Sequence, residues 1–385
     1  MRAAAVRVAA ALGAALVVAG CAGPGSPARA DSPAPTTSAP SPGAPDAVGL
    51  PRDRLLLADF GSDTVTFTGP PPADGGPATA SVRVGTAPYG IALGRDGTAW
   101  VSTAEGVAVV DTVRRVRTAL VPYATATGPV TDGEYRGGGM GIALSPDGSR
   151  VYVGVNVPGG SGVLEVIDTG SREVVRTVPV GRRPFDVDVS RDGGQVYATG
   201  HDSFDVTVVD TAAWGTRRVE VAPYGTEGGL GSWLKPHYAA VRPDGRLLLP
   251  FEGERLAVVD PRSGTVRVEP MTADTHQHGA STGPDGTLYV VGTGAVDPSD
   301  GRGPSLTVRR PDGRERVVPL EGPHEDVVLS PDGRTAYVTG GFTRDGYWDG
   351  ISVVDAAGGG VTRIAVGSRP LGAVVLPAPP SAPRG

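Results

Sequence analysis

The 385-residue chain holds five histidines, His201, His237, His276, His278 and His324, and some of them stand in a pattern that chemistry can use. His237 and His278 each lie eight residues before a turn glycine, Gly245 and Gly286, and Glu325 lies eight before Gly333 with His324 beside it. Imidazoles and a carboxylate from three successive segments form a donor set for one divalent ion of the zinc or copper class, or an acid–base pair. Imidazoles that only bond backbone carbonyls and water give the same spacing, so the pattern leaves both readings open. No HExxH run is present, and the one GxSxG match, Gly279–Gly283, lies in a repeat strand running into an Asp-Gly turn and not at a strand-to-helix elbow, so neither a helical zinc protease site nor a serine hydrolase is written locally. Cys21 is the only cysteine. Disulfides, a thiolate nucleophile at a second position and a haem held by Cys-x-x-Cys-His are therefore excluded. A second group, Tyr89, Glu134, Tyr135, Tyr224, Glu227, Trp233 and Trp348, combines aromatic rings with carboxylates in segments between strands, which suits stacking on a small molecule or on a partner protein.

These residues need a scaffold, and the scaffold is a repeat. An apolar stretch, an Asp-Gly turn and a second apolar stretch recur with the turn aspartates at Asp96, Asp147, Asp192, Asp244, Asp285 and Asp332, spaced 51, 45, 52, 41 and 47 residues. Asp-Gly supplies the positive φ of a tight hairpin, and β-branched alternation on either side supplies the strands. A third strand ending in aspartate follows in most units, at Asp111, Asp168, Asp210, Asp260 and Asp355. These aspartates are expected to bond their turns and to have no part in catalysis. A fourth strand completes each unit, which is the period of a propeller blade. The stretch from Arg54 to about Val84 reads as three strands lacking a first, and Arg369–Pro377 as a first strand lacking its partners. The expected fold is all-β: a seven-bladed β-propeller of four-stranded antiparallel blades, closed by N- and C-terminal strands sharing one blade. In such a ring the Asp-Gly turns occupy one rim, and the longer, unequal connections gather on the other. All five histidines map to that variable rim, where loops carry function.

The stretch GVLEVIDTGSREVVRTVPVGRRPFDVDVSRDGGQVYATG from Gly162 resembles the repeat of the YVTN β-propeller family, and Val151–Asn156 and Ala336–Gly341 resemble its namesake tetrapeptide region. The resemblance covers nearly all of the chain after residue 51. It implies the propeller and leaves function open, because surface proteins and binding proteins share that family. Some seven-bladed propellers are metal-dependent lactonases or lyases that use His and Glu at the channel mouth. The expected function is ligand, metal or partner binding on the variable rim without catalysis, with such an enzyme as the alternative.

The first residues carry an address. Arg2 and Arg7 precede an apolar run from Val8 to Ala19, and Val18-Ala19-Gly20-Cys21 resembles the lipobox of bacterial lipoproteins. Residues 1–21 are read as a lipoprotein signal peptide ending in lipidated Cys21, 22–50 as a disordered tether rich in Pro, Ser and Ala, 51–378 as the propeller and 379–385 as a disordered tail. The protein is expected on the extracytoplasmic face of the cell membrane, held by its lipid, as a monomer. Loss of Arg2 and Arg7 on cleavage takes the formal charge from −6 to −8, so a nucleic acid is not an expected partner.

Overall fold

The computed structural model describes residues 50–71, 77–133, 135–221, 235–251, 255–271, 277–294, 303–341 and 346–377. Within them there are seven sheets of four antiparallel strands each and no helix. Blades 1 to 6 follow chain order, with first strands at Ile91–Leu93, Gly138–Leu144, Pro184–Val189, Ala240–Val241, Gln277–Thr282 and Val327–Leu329. Blade 7 takes its inner strand, Pro370–Leu376, from the C-terminal end, and its other three, Arg54–Asp59, Thr64–Thr68 and Ala80–Arg83, from the N-terminal end. Arg54 pairs with Leu376 and Leu57 with Ala373, so a main-chain ladder joins the two ends and leaves neither as an open sheet edge.

The local chemistry explains the strands. Every Asp-Gly turn glycine has positive φ, between 68° at Gly333 and 86° at Gly245, a region closed to most side chains. The turn aspartate closes the loop by accepting the N–H two residues on, as Asp147 does from Ser149 at 3.0 Å. Third-strand aspartates do the same for their own turns. Asp111 accepts from Val113 and Arg114 at 3.0 and 2.8 Å, and Asp210 from Ala212 and Ala213 at 2.9 and 2.7 Å.

Middle strands are covered on both faces and so read as continuous apolar runs. Leu247–Phe251 is buried throughout, whereas the outer strand Glu173–Pro179 is largely exposed. The core lies between blades: Tyr197, Val206 and Val219 of blade 3 pack against Leu247, Leu249 and Ala257 of blade 4. With no disulfide available, this burial, on the order of 25 cal/mol per Å² of apolar surface, holds adjacent blades together.

First strands line a central channel of about 470 Å³ that runs from Tyr89 and Phe185 past Asp186, Asp188 and Asp326. Asp186 is tied to its neighbours, accepting from Val187 N–H at 2.9 Å and from Ala239 N–H of blade 4 at 2.8 Å. Removal from bulk water pushes the Asp186 carboxyl up to about 6. It also pushes Asp326 up to about 8, with the nearby Asp186 and Glu325 carboxylates adding to the shift.

Candidate functional site at the channel mouth

One residue per blade enters the channel mouth just ahead of, or within, the first strand. These are Tyr89, Met140, Phe185, His237, His278, Glu325 and Leu371, and none is more than 5% exposed. A proline immediately precedes four of them, Pro88, Pro184, Pro236 and Pro370, fixing φ and delivering the chain to the mouth in extended form. Four of the seven positions are aromatic or aliphatic. The other three, on consecutive blades 4, 5 and 6, are His, His and Glu.

The polar three are joined. Nδ1 of His278 lies 3.3 Å from Oε2 of Glu325, and Oε1 of Glu325 accepts the Tyr238 phenol at 2.8 Å. Tyr238 also lies 3.3 Å from the Tyr89 hydroxyl, extending the chain of hydrogen bonds to the opposite side of the mouth. Burial, with the Glu325 charge adding to it, holds the Tyr238 phenol well above its ordinary pKa, so it stays protonated and donates. The His237 ring stacks on His278 with centroids 4.1 Å apart and planes inclined by 26°. Phe185 walls the other side, edge-on to His237 at 5.2 Å and to Tyr238 at 5.9 Å.

His201 adds a third ring, 4.6 Å from His237 and stacked on Phe185 at 4.9 Å. Its Nδ1 meets Asp202 at 2.8 Å, and Arg183 and Lys235 also reach Asp202, at 2.9 and 3.1 Å. Burial raises the Asp202 carboxyl, but His201 and these two cations outweigh it and hold the carboxyl below the usual range. Burial takes His201 down to about 4, so the imidazole is neutral at pH 7.

His324 does not join the cluster. It occupies the position one before the mouth residue, where four other blades place proline, and alternation along the extended chain turns it away from Glu325. Both ring nitrogens are engaged, Nδ1 with the Gly322 carbonyl and Nε2 with the Ser352 hydroxyl, each at 2.8 Å. Burial depresses its pKa to about 4.

The described imidazoles at the mouth do not converge on one point. Imidazole lone pairs lie in the ring plane, so two rings stacked face to face aim side by side and do not converge. Among the described residues no three His, Cys, Asp or Glu side chains gather as a metal-holding group.

Of the other rim candidates, Tyr89 belongs to the mouth. Tyr135 is 49% exposed with the Arg183 guanidinium 3.9 Å above its ring, and Trp348 sits under Arg363 at 4.1 Å, away from the cluster and edge-on to His324. Cys21, Glu134, Tyr224, Glu227, Trp233 and His276 lie outside the described residues. Sequence reasoning missed Tyr238. Its signal was there to read: it is a bulky residue at the repeat position where Gly90, Gly141, Gly279 and Gly372 stand.

Comparison with solved structures finds chains of like fold. The periplasmic gluconolactonase PpgL of Pseudomonas aeruginosa aligns with a TM-score of 0.60 at 17% identity, over 85% of this chain and 99% of that one. Hydrazine synthase of Kuenenia stuttgartiensis aligns with a TM-score of 0.55 at 19% identity, over 70% of this chain and 76% of the other. The likeness is one of fold. No protein-family model matches the sequence, and no curated protein matches it.

Proposed function

We propose that the protein is a lipid-anchored, extracytoplasmic binding propeller that takes a small hydrogen-bonding ligand at the channel mouth of its variable rim. One observation carries this reading. At a repeat position that Met140, Phe185 and Leu371 fill with apolar side chains, blades 4 to 6 carry His237, His278 and Glu325, all buried. Burying imidazole and carboxylate costs stability where an apolar side chain fits equally well, and sequences keep such departures from their own pattern at functional sites. The aromatic wall of Phe185, Tyr89 and Tyr238 gives a ligand apolar faces to lie against, and the His278–Glu325–Tyr238 chain gives it donors and acceptors.

A thermal-shift screen of polar small molecules against the full chain tests the reading. A ligand that raises the melting temperature of the wild type is expected to lose its effect in His237→Ala and His278→Ala. Equal shifts in both variants would place the ligand elsewhere and defeat the proposal. Anchorage rests on Val18–Cys21. Labelled fatty acid is expected to enter the wild type and not Cys21→Ser, and the expected location is the outer face of the membrane.

A second reading has one observation behind it, the His278–Glu325 pair at 3.3 Å. A carboxylate-oriented imidazole can serve as a general base, and a lactone is the substrate class named for the gluconolactonase of like fold. Lactone hydrolysis by the purified chain that disappears in His278→Ala would favour this reading over binding alone.

A further inference from the structure

A groove of about 650 Å³ opens between blades 5 and 6 on the opposite rim, among the Asp-Gly turns. Four arginines line it, Arg310, Arg314, Arg316 and Arg334, with Asp285 and Glu315. Both carboxylates are occupied. Asp285 accepts from the Thr287 N–H and hydroxyl at 3.0 and 2.9 Å, and Glu315 pairs with Arg309. Arg314 holds Asp312 at 2.7 Å, and Arg316 donates to the carbonyls of Ala356 and Ala357. The Arg310 and Arg334 guanidinium groups have no hydrogen-bond or ion-pair partner among the described residues.

Arg310 is the departure that makes this groove. Thr98 pairs with Asp111 in blade 1. The corresponding ladder of blade 5 ends at Leu288 paired with Arg309, so the next residue, Arg310, comes opposite Thr287. It therefore stands where blades 1, 2, 3, 4 and 6 carry Asp111, Asp168, Asp210, Asp260 and Asp355. Asp312 has taken over the turn, accepting the Arg314 N–H at 3.0 Å, and the Arg310 guanidinium acts on Asp285 and Asp312 through its charge alone, without a hydrogen bond. The groove between blades 1 and 2 on the same rim, about 560 Å³, carries only Arg95 and Arg172 beside Asp96 and Asp147.

We propose that the blade 5–6 groove is a binding site for a phosphate group, gripped by the planar forks of Arg310 and Arg334 with Arg314 and Arg316 behind them. Guanidinium matches a tetrahedral oxyanion with paired N–H donors, and the site lies apart from the channel mouth. The phosphate group belongs either to a free solute or to a lipid headgroup.

The test uses the full chain carrying Cys21→Ser, so that no acyl chain can hold it to a membrane. Equilibrium dialysis with radiolabelled inorganic phosphate is run beside flotation with vesicles of phosphatidylglycerol, and with phosphatidylcholine as the uncharged reference. Saturable phosphate binding is expected, weakened roughly ten-fold or more by Arg310→Asp and unchanged by Arg95→Asp. Arg310→Asp restores the residue of the other blades, so it is expected to fold with an unaltered melting temperature, and Arg334→Gln serves as a second probe of the same grip. Phosphate binding without flotation assigns the site to a solute. Binding together with phosphatidylglycerol flotation that phosphate competes away assigns it to a headgroup. Absence of both, or equal losses in Arg310→Asp and Arg95→Asp, overturns the proposal.

Discussion

Tyr238 shows how much a single side chain organises at the mouth. Its phenol donates to Glu325 at 2.8 Å, while Glu325 meets His278 on its other oxygen. In Tyr238→Phe the carboxylate loses that donor inside the protein, and a cost of about 1–3 kcal/mol is expected in urea unfolding, the range for a buried acceptor deprived of a bond. The channel aspartates act with the opposite sign of charge preference. Asp326 has a folded pKa raised to about 8 against an ordinary value of 3.8. Its contribution is therefore favourable below about pH 4 and is lost as pH rises through 8. Asp326→Asn is expected to melt higher than the wild type at pH 9, by about 1–2 kcal/mol once channel water is allowed for, with the gap closing toward pH 4. His201 and His324 run the other way. Their folded pKa values of about 4 lie below the ordinary 6.5, so the stability they contribute is present above pH 6.5 and lost as pH falls toward 4. Melting temperature against pH, measured on the wild type and Asp326→Asn, resolves the two flanks.

At the level of strands and turns, the first strands of neighbouring blades approach each other on glycine. Gly279 donates to the Glu325 carbonyl at 2.8 Å, and a methyl group on it would lie 2.5 Å from the Asp326 Cα. Gly279→Ala is expected to push blades 5 and 6 apart, costing 2 kcal/mol or more by the order of overpacking penalties, and to weaken any ligand effect at the mouth. Gly215→Ala meets nothing within 4 Å and is expected to be neutral or slightly stabilising. Circular-dichroism melts of the two separate crowding from loss of glycine as such. This is also the scale at which the sequence was most readable. Asp-Gly spacing gave turns and strands because the turn needs a positive φ that few residues supply. His324 was not legible in the same way. Adjacency to Glu325 suggested a shared site, but successive side chains of an extended chain face opposite ways; the count of eight back from Gly333 marks Glu325 as the inward one, while Pro323, directly before His324, points to the wrong residue. Tyr238 went unseen because a residue's reach across a channel is set by the ring, not by its neighbours in the chain.

For the whole molecule, closure is the property on which the mouth and the channel depend. The sequence carried it in the complementary defects of its two ends, three strands at one and one strand at the other, and the ladder from Arg54–Leu376 to Leu57–Ala373 joins them. What the sequence could not carry was convergence. Seven positions tens of residues apart become neighbours only when the circle is complete, so the stacking of His237 on His278 is a product of closure and not of local pattern. Removing residues 370–385 is thus expected to expose the Arg54–Asp59 edge and the blade 6 face together, giving aggregation in place of a cooperative melt. A circular permutant separates closure from mere presence of the strand. If residues 50–377 are made with Pro377 joined by a short Gly-Ser linker to Leu50, and new ends are opened in the exposed turn at Gly159, blade 7 becomes a continuous sheet and blade 2 is the one held by two ends. The Gly159 turn lies between second and third strands and has nothing packed within 4 Å of that glycine. The permutant is expected to fold and to keep the wild-type response to a mouth ligand, because every ladder is preserved. Folding of the truncated chain to a monomer with wild-type melting would show instead that the blades stand without the ring.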